Sequence, residues 1–299
     1  MKYVVTGGAG FIGSNIVKLL VKGGHQVIII DNLHTGNLSR IKDIEEKITF
    51  HEMDIRDFDE LKQIIKDVDG IFHQAALTIV PESFLKPEEY FDVNVNGTKN
   101  IFRIAKEMGI KVVFASSSSV YGEVKEIPIK EDFEKNPINP YGETKLEKEK
   151  LAEKFWSEGV NIIGLRYFNV YGKGQTGTYA GVITQFMKKL DNNVAPIIHG
   201  KGNQVRDFVF VEDVAKANIM SMESNTNQSF LNIGTGKAIS ILDLAKMMIK
   251  ISSKNISPNF DNEQLGDIEK SQADTLLSKE KIGWEYRTEL EDGLQKLMT

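Results

Sequence analysis

Thr6-Gly7-Gly8-Ala9-Gly10-Phe11-Ile12-Gly13 stands between an apolar run, Tyr3–Thr6, and an amphipathic stretch that continues to Val21. It holds two overlapping glycine patterns, Gly8-x-Gly10-x-x-Gly13 and Gly7-x-x-Gly10-x-x-Gly13. Glycine at these places allows a tight strand-to-helix turn, a close backbone approach to a pyrophosphate, and close packing of helix on strand. The helix start beyond it offers free N–H groups and a partial positive charge to phosphates. A glycine-rich turn standing alone would be only a turn. Here a second apolar run, Gln26–Ile30, ends in Asp31, eighteen residues past Gly13. A carboxylate at that point accepts hydrogen bonds from an adenosine ribose and repels a 2′-phosphate, which predicts NAD rather than NADP. Asn32 follows it, and no Arg stands near enough in sequence to suggest the NADP alternative. Asp54 and Ile55, after the third run, are expected to flank the adenine.

Working outward, short apolar runs alternate with longer amphipathic ones. Strands are predicted at Tyr3–Thr6, Gln26–Ile30, Ile48–His51, Gly70–His73, Val112–Ser116 and Asn161–Leu165. Helices are predicted at Gly13–Val21, Phe58–Lys66, Pro87–Met108 and Tyr141–Glu158, with Gly23-Gly24 ending the first as a left-handed cap. Strict alternation predicts an α/β fold with a doubly wound parallel sheet of the Rossmann kind. Past Tyr171 the pattern loosens, and helices are expected at Gly181–Leu190, Glu212–Met222, Ser240–Ile251 and Glu289–Leu297. This reads as a smaller, mixed α/β substrate domain. Residues 1–170, with about 200–220, are assigned to the NAD-binding domain; about 171–199 and 221–299 are assigned to the substrate-binding region. The stretch Glu143–Glu158 carries Leu146, Leu151 and Phe155 on one face, and its Lys and Glu residues are read as a solvated face.

The chain has 299 residues, 41% hydrophobic and 26% charged, which excludes disordered, collagen-like and coiled-coil classes. A net charge of −5 argues against a nucleic-acid partner. No apolar run approaches the roughly 20 residues of a membrane span. The first strand begins at Tyr3, so no leader is expected; with no cysteine, this suggests a reducing, cytoplasmic setting. The five histidines show no metal-ligand spacing, so no metal is expected.

Tyr-x-x-x-Lys places a phenol and an ammonium on one face of a helix, where the cation lowers the phenol pKa and lets it act as a base. Two such pairs occur, Tyr121…Lys125 and Tyr141…Lys145. Only Tyr141 opens a convincing helix, after Pro137 and Pro140, so Tyr141 and Lys145 are chosen. Upstream, Ser116-Ser117-Ser118-Ser119 puts hydroxyls at the carboxyl end of a central strand, where doubly wound sheets place ligands.

TGGAGFIG, DNLHTGN, MDIRD, HQAA, SSSSVYG, PYGETK, RYFNVYG and RDFVFVEDVA follow in an order and spacing that resemble the extended short-chain dehydrogenase/reductase family. Within it the chain looks most like the nucleotide-sugar epimerase branch, UDP-glucose 4-epimerase-like. The resemblance covers most of the chain to about Ala217. It implies Tyr141 as the base taking the sugar 4-hydroxyl proton, Lys145 as holder of the nicotinamide ribose, and Ser117 as a hydrogen-bond partner of the 4-oxygen. A 4-keto sugar then turns over in the site, receives hydride on its opposite face, and NAD stays bound. The resemblance also places Ala75, Ala76, Asn94 and Phe168 at the cofactor. Thr78, Asn169, Arg206 and Ser271 go to the substrate. A homodimer is implied as well.

Three positions refine that expectation. Dehydratase relatives carry Asp-Glu directly after the Ser117 position; here stand Ser118 and Ser119, which disfavours elimination. A second phosphate-binding Arg is expected three residues before the Asp of a Gly-Asp pair, but Gln264 precedes Gly266-Asp267. Ser271 falls where glucose-restricted members carry a bulky Tyr, and a small residue there leaves room for an N-acetyl group. The expected function is therefore NAD-dependent 4-epimerisation of a nucleotide-diphosphate sugar. UDP-glucose/UDP-galactose leads, with UDP-GlcNAc/GalNAc as further substrates. The alternatives are an epimerase for another N-acetylated or uronic sugar, and a non-catalytic NAD-binding sensor.

Overall fold

Val4-Val5, Val27–Ile30, Ile71-Phe72, Val112–Phe114 and Ile162-Ile163 are buried runs rich in β-branched and aromatic side chains, as strands covered on both faces require. The computed structural model describes residues 1–175, 181–262 and 268–298. In chain order the elements are β1 (Lys2–Thr6), α1 (Phe11–Lys22), β2 (Gln26–Asp31), β3 (Ile48–Glu52), α2 (Phe58–Ile64) and β4 (Gly70–His73). There follow α3 (Val80–Leu85), α4 (Pro87–Phe91), a π-helical segment Asp92–Asn96, α5 (Gly97–Met108), β5 (Lys111–Ser117), α6 (Pro140–Ser157) and β6 (Ile162–Tyr167). The second half holds β7 (Asn169–Tyr171), α7 (Val182–Asp191), β8 (Ile197–His199), β9 (Val205–Phe210) and α8 (Val211–Glu223). It closes with β10 (Gln228–Ile233), β11 (Ala238–Ser240), α9 (Ile241–Ile251), β12 (Asn259–Asp261), α10 (Leu276–Ile282) and α11 (Leu290–Met298).

Seven parallel strands form the main sheet in the order β10-β6-β5-β4-β1-β2-β3. The chain winds outward from β1 to β3, then restarts on the other side of β1 with β4. The carboxyl ends of β1 and β4 therefore flank a crevice, the usual ligand position in such sheets. One face is covered by α1 and α8 through Ile16, Val17, Leu20, Val214 and Ala217. The other is covered by α2, α5 and α6, where Phe102 meets Phe114 and Phe155 edge-on. A three-stranded sheet, with β9 between parallel β7 and antiparallel β11, and a β8–β12 pair make the smaller region. Its apolar cluster includes Phe186, Phe208, Leu244 and Leu294.

Several local expectations change. Gly23 caps α1 with φ −76°, and it is Gly24, at φ +79°, that takes the left-handed turn. Gln228–Ile233, counted by sequence with the second region, is the edge strand of the main sheet. β9, counted with the first, pairs in the small sheet, while α8 directly after it packs on α1. The face of α6 read as solvated is partly buried: Lys145, Lys148, Glu149, Ala152 and Phe155 lie on its inner side. Gln264 and Gly266-Asp267 lie outside the described residues.

Candidate active site

A cleft of about 690 Å³ opens at the sheet's crevice, and the glycine turn forms its floor. Gly7 sits at φ +68°, and a Cβ there would stand 2.7 Å from the Ala75 nitrogen. A Cβ on Gly13 would run into the Gly7 carbonyl oxygen. Gly10 caps α1 with no side chain, so the start of the helix, with Phe11 and Ile12, faces the cleft unobstructed. Asp31 ends β2 with its buried carboxylate accepting from Ala9 N–H at 2.9 Å and Leu33 N–H at 2.8 Å. Burial pushes this carboxyl above its ordinary range, against those two N–H groups and the Arg40 charge. A pyrophosphate above Gly10 and a ribose diol at Asp31 fit this cradle, since the bare backbone and the carboxylate offer donors and acceptors respectively.

Asn32, Asp54, Ile55, Ala75 and Ala76 line the same wall, and exposed Thr78 lies at its rim. Asn32 Nδ2 donates to Asp54 at 3.2 Å, and Arg56 ties Asp54 to Asp92. Arg40 is a departure from the sequence argument. Nine residues past Asp31, it folds back into the cleft and donates to the carbonyls of Ala9, Thr35 and Gly174. Arg40 ends a single 3-10 turn, Leu38–Arg40, capped by Asn37, and this local turn carries it to the cleft despite its distance in sequence from Asp31.

Across the cleft stand Ser117, Tyr141, Lys145 and Phe168. Asn139 caps α6 by accepting from Gly142 N–H at 2.8 Å, and Pro140 takes the first helical position. Tyr141 and Lys145 follow one turn apart, with Lys145 Nζ 5.4 Å from the Tyr141 ring centroid. Lys145 is buried and donates to the Ala115 carbonyl at 3.1 Å. Burial pushes its pKa down to about 8, against the pull of Glu149. Burial also raises the Tyr141 phenol, with a hydrogen bond to Ser117 acting the other way. The lowering by the cation that the spacing predicts is not among the influences on this phenol, and removal from water dominates. Ser117 Oγ closes β5, donating to Ser119 Oγ at 3.0 Å and accepting from the Ser119 N–H.

The competing Tyr121 is fully committed elsewhere. Its hydroxyl donates to Asn232 Oδ1 at 2.7 Å and accepts from Arg166 Nη1 at 2.8 Å, in the interior. Asn94 does not reach the cleft wall either. Its buried amide is engaged by both polar groups of the Leu77 backbone and by Thr144, so it holds the loop after β4 against α6. That loop is fixed from below by a buried chain. Thr98 Oγ1 donates to the Asn94 carbonyl, which leaves it to accept from His73 Nε2, and His73 Nδ1 accepts from Thr6. Burial above all keeps His73 neutral. Asn169, Arg206 and Ser271 lie outside the walls of this cleft. Arg206 and Ser271 meet beside β9, both bonded to the Val205 carbonyl, at 2.9 and 3.2 Å. Sequence reasoning missed Gln74, which lines the cleft and binds Tyr167 and Asn218, and Lys148. Helical spacing from Lys145 to Ala152 and Phe155 was the available signal for Lys148.

A model of the NAD dependent epimerase/dehydratase family matches residues 3–234. The chain belongs to that family. Its match begins at β1 and ends with β10, so it spans the whole main sheet. A relative described as a putative UDP-glucose 4-epimerase of Methanocaldococcus jannaschii is 41% identical, over 99% of this chain and 96% of its own. Among epimerase structures, the UDP-N-acetylglucosamine 4-epimerase of Methanobrevibacter ruminantium, in complex with UDP-N-acetylmuramic acid, superposes with a TM-score of 0.95. It is 38% identical over 99% of this chain and 96% of that one. The UDP-glucose 4-epimerase of Thermotoga maritima with UDP-glucose gives 0.94 at 35% identity and the same coverages.

Proposed function

We propose that the protein is an NAD-dependent 4-epimerase of nucleotide-diphosphate sugars, UDP-glucose/UDP-galactose first and UDP-GlcNAc/GalNAc in addition. It would work in the cytoplasm as a homodimer. The observation that carries this reading is the meeting of Ser117, Tyr141 and Lys145 on the wall opposite a dinucleotide cradle. Among the described residues no helix is long and apolar enough to cross a membrane, and none form a cluster of three metal-ligating side chains.

NAD, when bound, supplies a hydride acceptor and returns the hydride; the protein supplies the rest. Gly7, Gly10 and Gly13 with the start of α1 hold the pyrophosphate, and Asp31 holds the adenosine ribose. Tyr141 takes the proton from the sugar 4-hydroxyl as the C4 hydride leaves, giving a 4-keto sugar, and gives it back to the opposite epimer. Lys145 keeps a positive charge beside that phenol, and Ser117 orients the 4-oxygen. Ser118 and Ser119 offer neither acid nor base of the strength that elimination of water requires, which favours return of the hydride. Ser271 is small and buried and lies outside the cleft walls, so its part in admitting an N-acetyl group rests on its size and on its place in the sequence.

Purified protein assayed on UDP-, dTDP-, GDP- and CDP-sugars should interconvert UDP-glucose and UDP-galactose, and the N-acetylated pair as well. Denatured protein should release NAD, not NADP. Ser271→Tyr should remove N-acetyl turnover by roughly 5–150-fold in selectivity, the cost of overfilling a packed site. No interconversion of any 4-epimeric pair would overturn the reading, and equal loss of both pairs would overturn the role of Ser271.

A further inference from the structure

Lys148 lies one turn beyond Lys145 on the inner stripe of α6 and is fully buried. Its Nζ donates to the Ala115 carbonyl at 3.4 Å, the same oxygen that Lys145 bonds at 3.1 Å. It also stands 5.4 Å from the Phe114 ring centroid. The titratable and charged groups around it are Lys145 and Glu149 on its own helix, His73 from β4 and Arg166 from β6. His73 is neutral. The Glu149 carboxylate is held bidentately by Arg166, at 2.9 and 2.7 Å, and accepts from Ser116 as well. Its charge is therefore already matched. Two amines meet on one carbonyl with no carboxylate left for the second. Like charges sharing a dry site do not both ionise, as paired carboxylates illustrate with the opposite sign.

We propose that Lys148 is a positioning residue for Lys145: the two amines share the Ala115 carbonyl and carry one positive charge between them, so Lys148 sets the charge and place of the Lys145 ammonium beside Tyr141. This rests on the reading of Tyr141 and Lys145 as the reacting pair. Burial lowers both amines; Glu149 opposes this at Lys145, whereas the Lys145 charge adds to it at Lys148, so the charge resides on Lys145. Loss of that charge sets the alkaline limit of turnover. Without Lys148, Lys145 keeps the carbonyl to itself, loses its competitor, and holds its proton to higher pH.

The test uses Lys148→Met and Lys148→Leu, which keep the apolar body and remove the amine. In kcat/KM for UDP-galactose between about pH 6 and about pH 10, the alkaline limit should move upward by about half a unit to one unit. A second readout needs no turnover. The unfolded chain protonates Lys148 below about pH 10.4, while the folded chain holds it neutral. Wild type therefore loses stability relative to the variants as pH falls, and the gap in thermal midpoint should widen from pH 10 to pH 7. An unmoved alkaline limit, a midpoint gap independent of pH, or failure of both variants to fold would each overturn the proposal. Lys145→Met separates the two readings: normal turnover in that variant would sink the reacting pair itself. An inactive Lys145→Met beside an unshifted Lys148→Met would sink only the inference about Lys148.

Discussion

Removing the phenol oxygen of Tyr141 takes away the group proposed to accept the substrate proton. Tyr141→Phe should lower turnover by about 10²–10⁴-fold, with folding and bound NAD retained. Tyr121→Phe should do the reverse. It leaves Asn232 Oδ1 and one Arg166 N–H short of a partner in the interior, a cost of about 1–3 kcal/mol in stability with turnover kept. Urea unfolding midpoints and kcat for both variants decide the matter. Near-native turnover in Tyr141→Phe with loss in Tyr121→Phe would reverse the assignment. Both tyrosines carry the same Tyr-x-x-x-Lys spacing, and the helix start at Pro140 was enough to separate them. The raised phenol of Tyr141 was not legible, because desolvation depends on everything packed around the ring.

At the scale of the element, α6 carries Tyr141, Lys145 and Lys148 on one rigid body. Its first turn is fixed by Asn139, which accepts the Gly142 N–H, and by Pro140. Asn139→Ala should destabilise the protein by about 1 kcal/mol, the usual cost of a lost N-cap. Because the frayed turn holds Tyr141, kcat should fall more than KM changes. An unaltered unfolding midpoint would show that the cap contributes nothing. The proline was readable in advance. The inner face was not read correctly, because Lys and Glu were taken as a solvated surface. Their burial is possible only because Arg166 and Ser116 on neighbouring strands meet Glu149, and Ala115 meets both lysines.

At the scale of the molecule, α3 and α4 present Phe84, Leu85 and Phe91 at 59%, 83% and 45% exposure. Three large apolar side chains facing outward on adjoining helices favour burial against another surface. A second copy of the chain is the occupant we propose. Light scattering at micromolar concentration should return twice the chain mass, and Leu85→Glu should shift it towards the single chain. A wild-type monomer would remove the dimer from the reading. Asp207 shows how the two sheets are joined. From β9 it accepts from the Thr235 and Gly236 N–H groups beyond β10 and from Ala273, linking the main sheet to the smaller region.

The sequence by itself determined the alternation of strands and helices, the glycine turn with Asp31, and the helix start that sets Tyr141 and Lys145 one turn apart. Each is written in local spacing: two residues for a strand, three to four for a helix, glycine where a Cβ has no room. Only the tertiary structure decided that Gln228–Ile233 completes the main sheet, that Arg40 enters the cleft, and that Asn94 supports a loop behind it. It also decided that Lys148 shares a carbonyl with Lys145. The side-chain contacts among these join residues 17 to 33 positions apart, and the geometry that brings them together is set by packing of the whole chain.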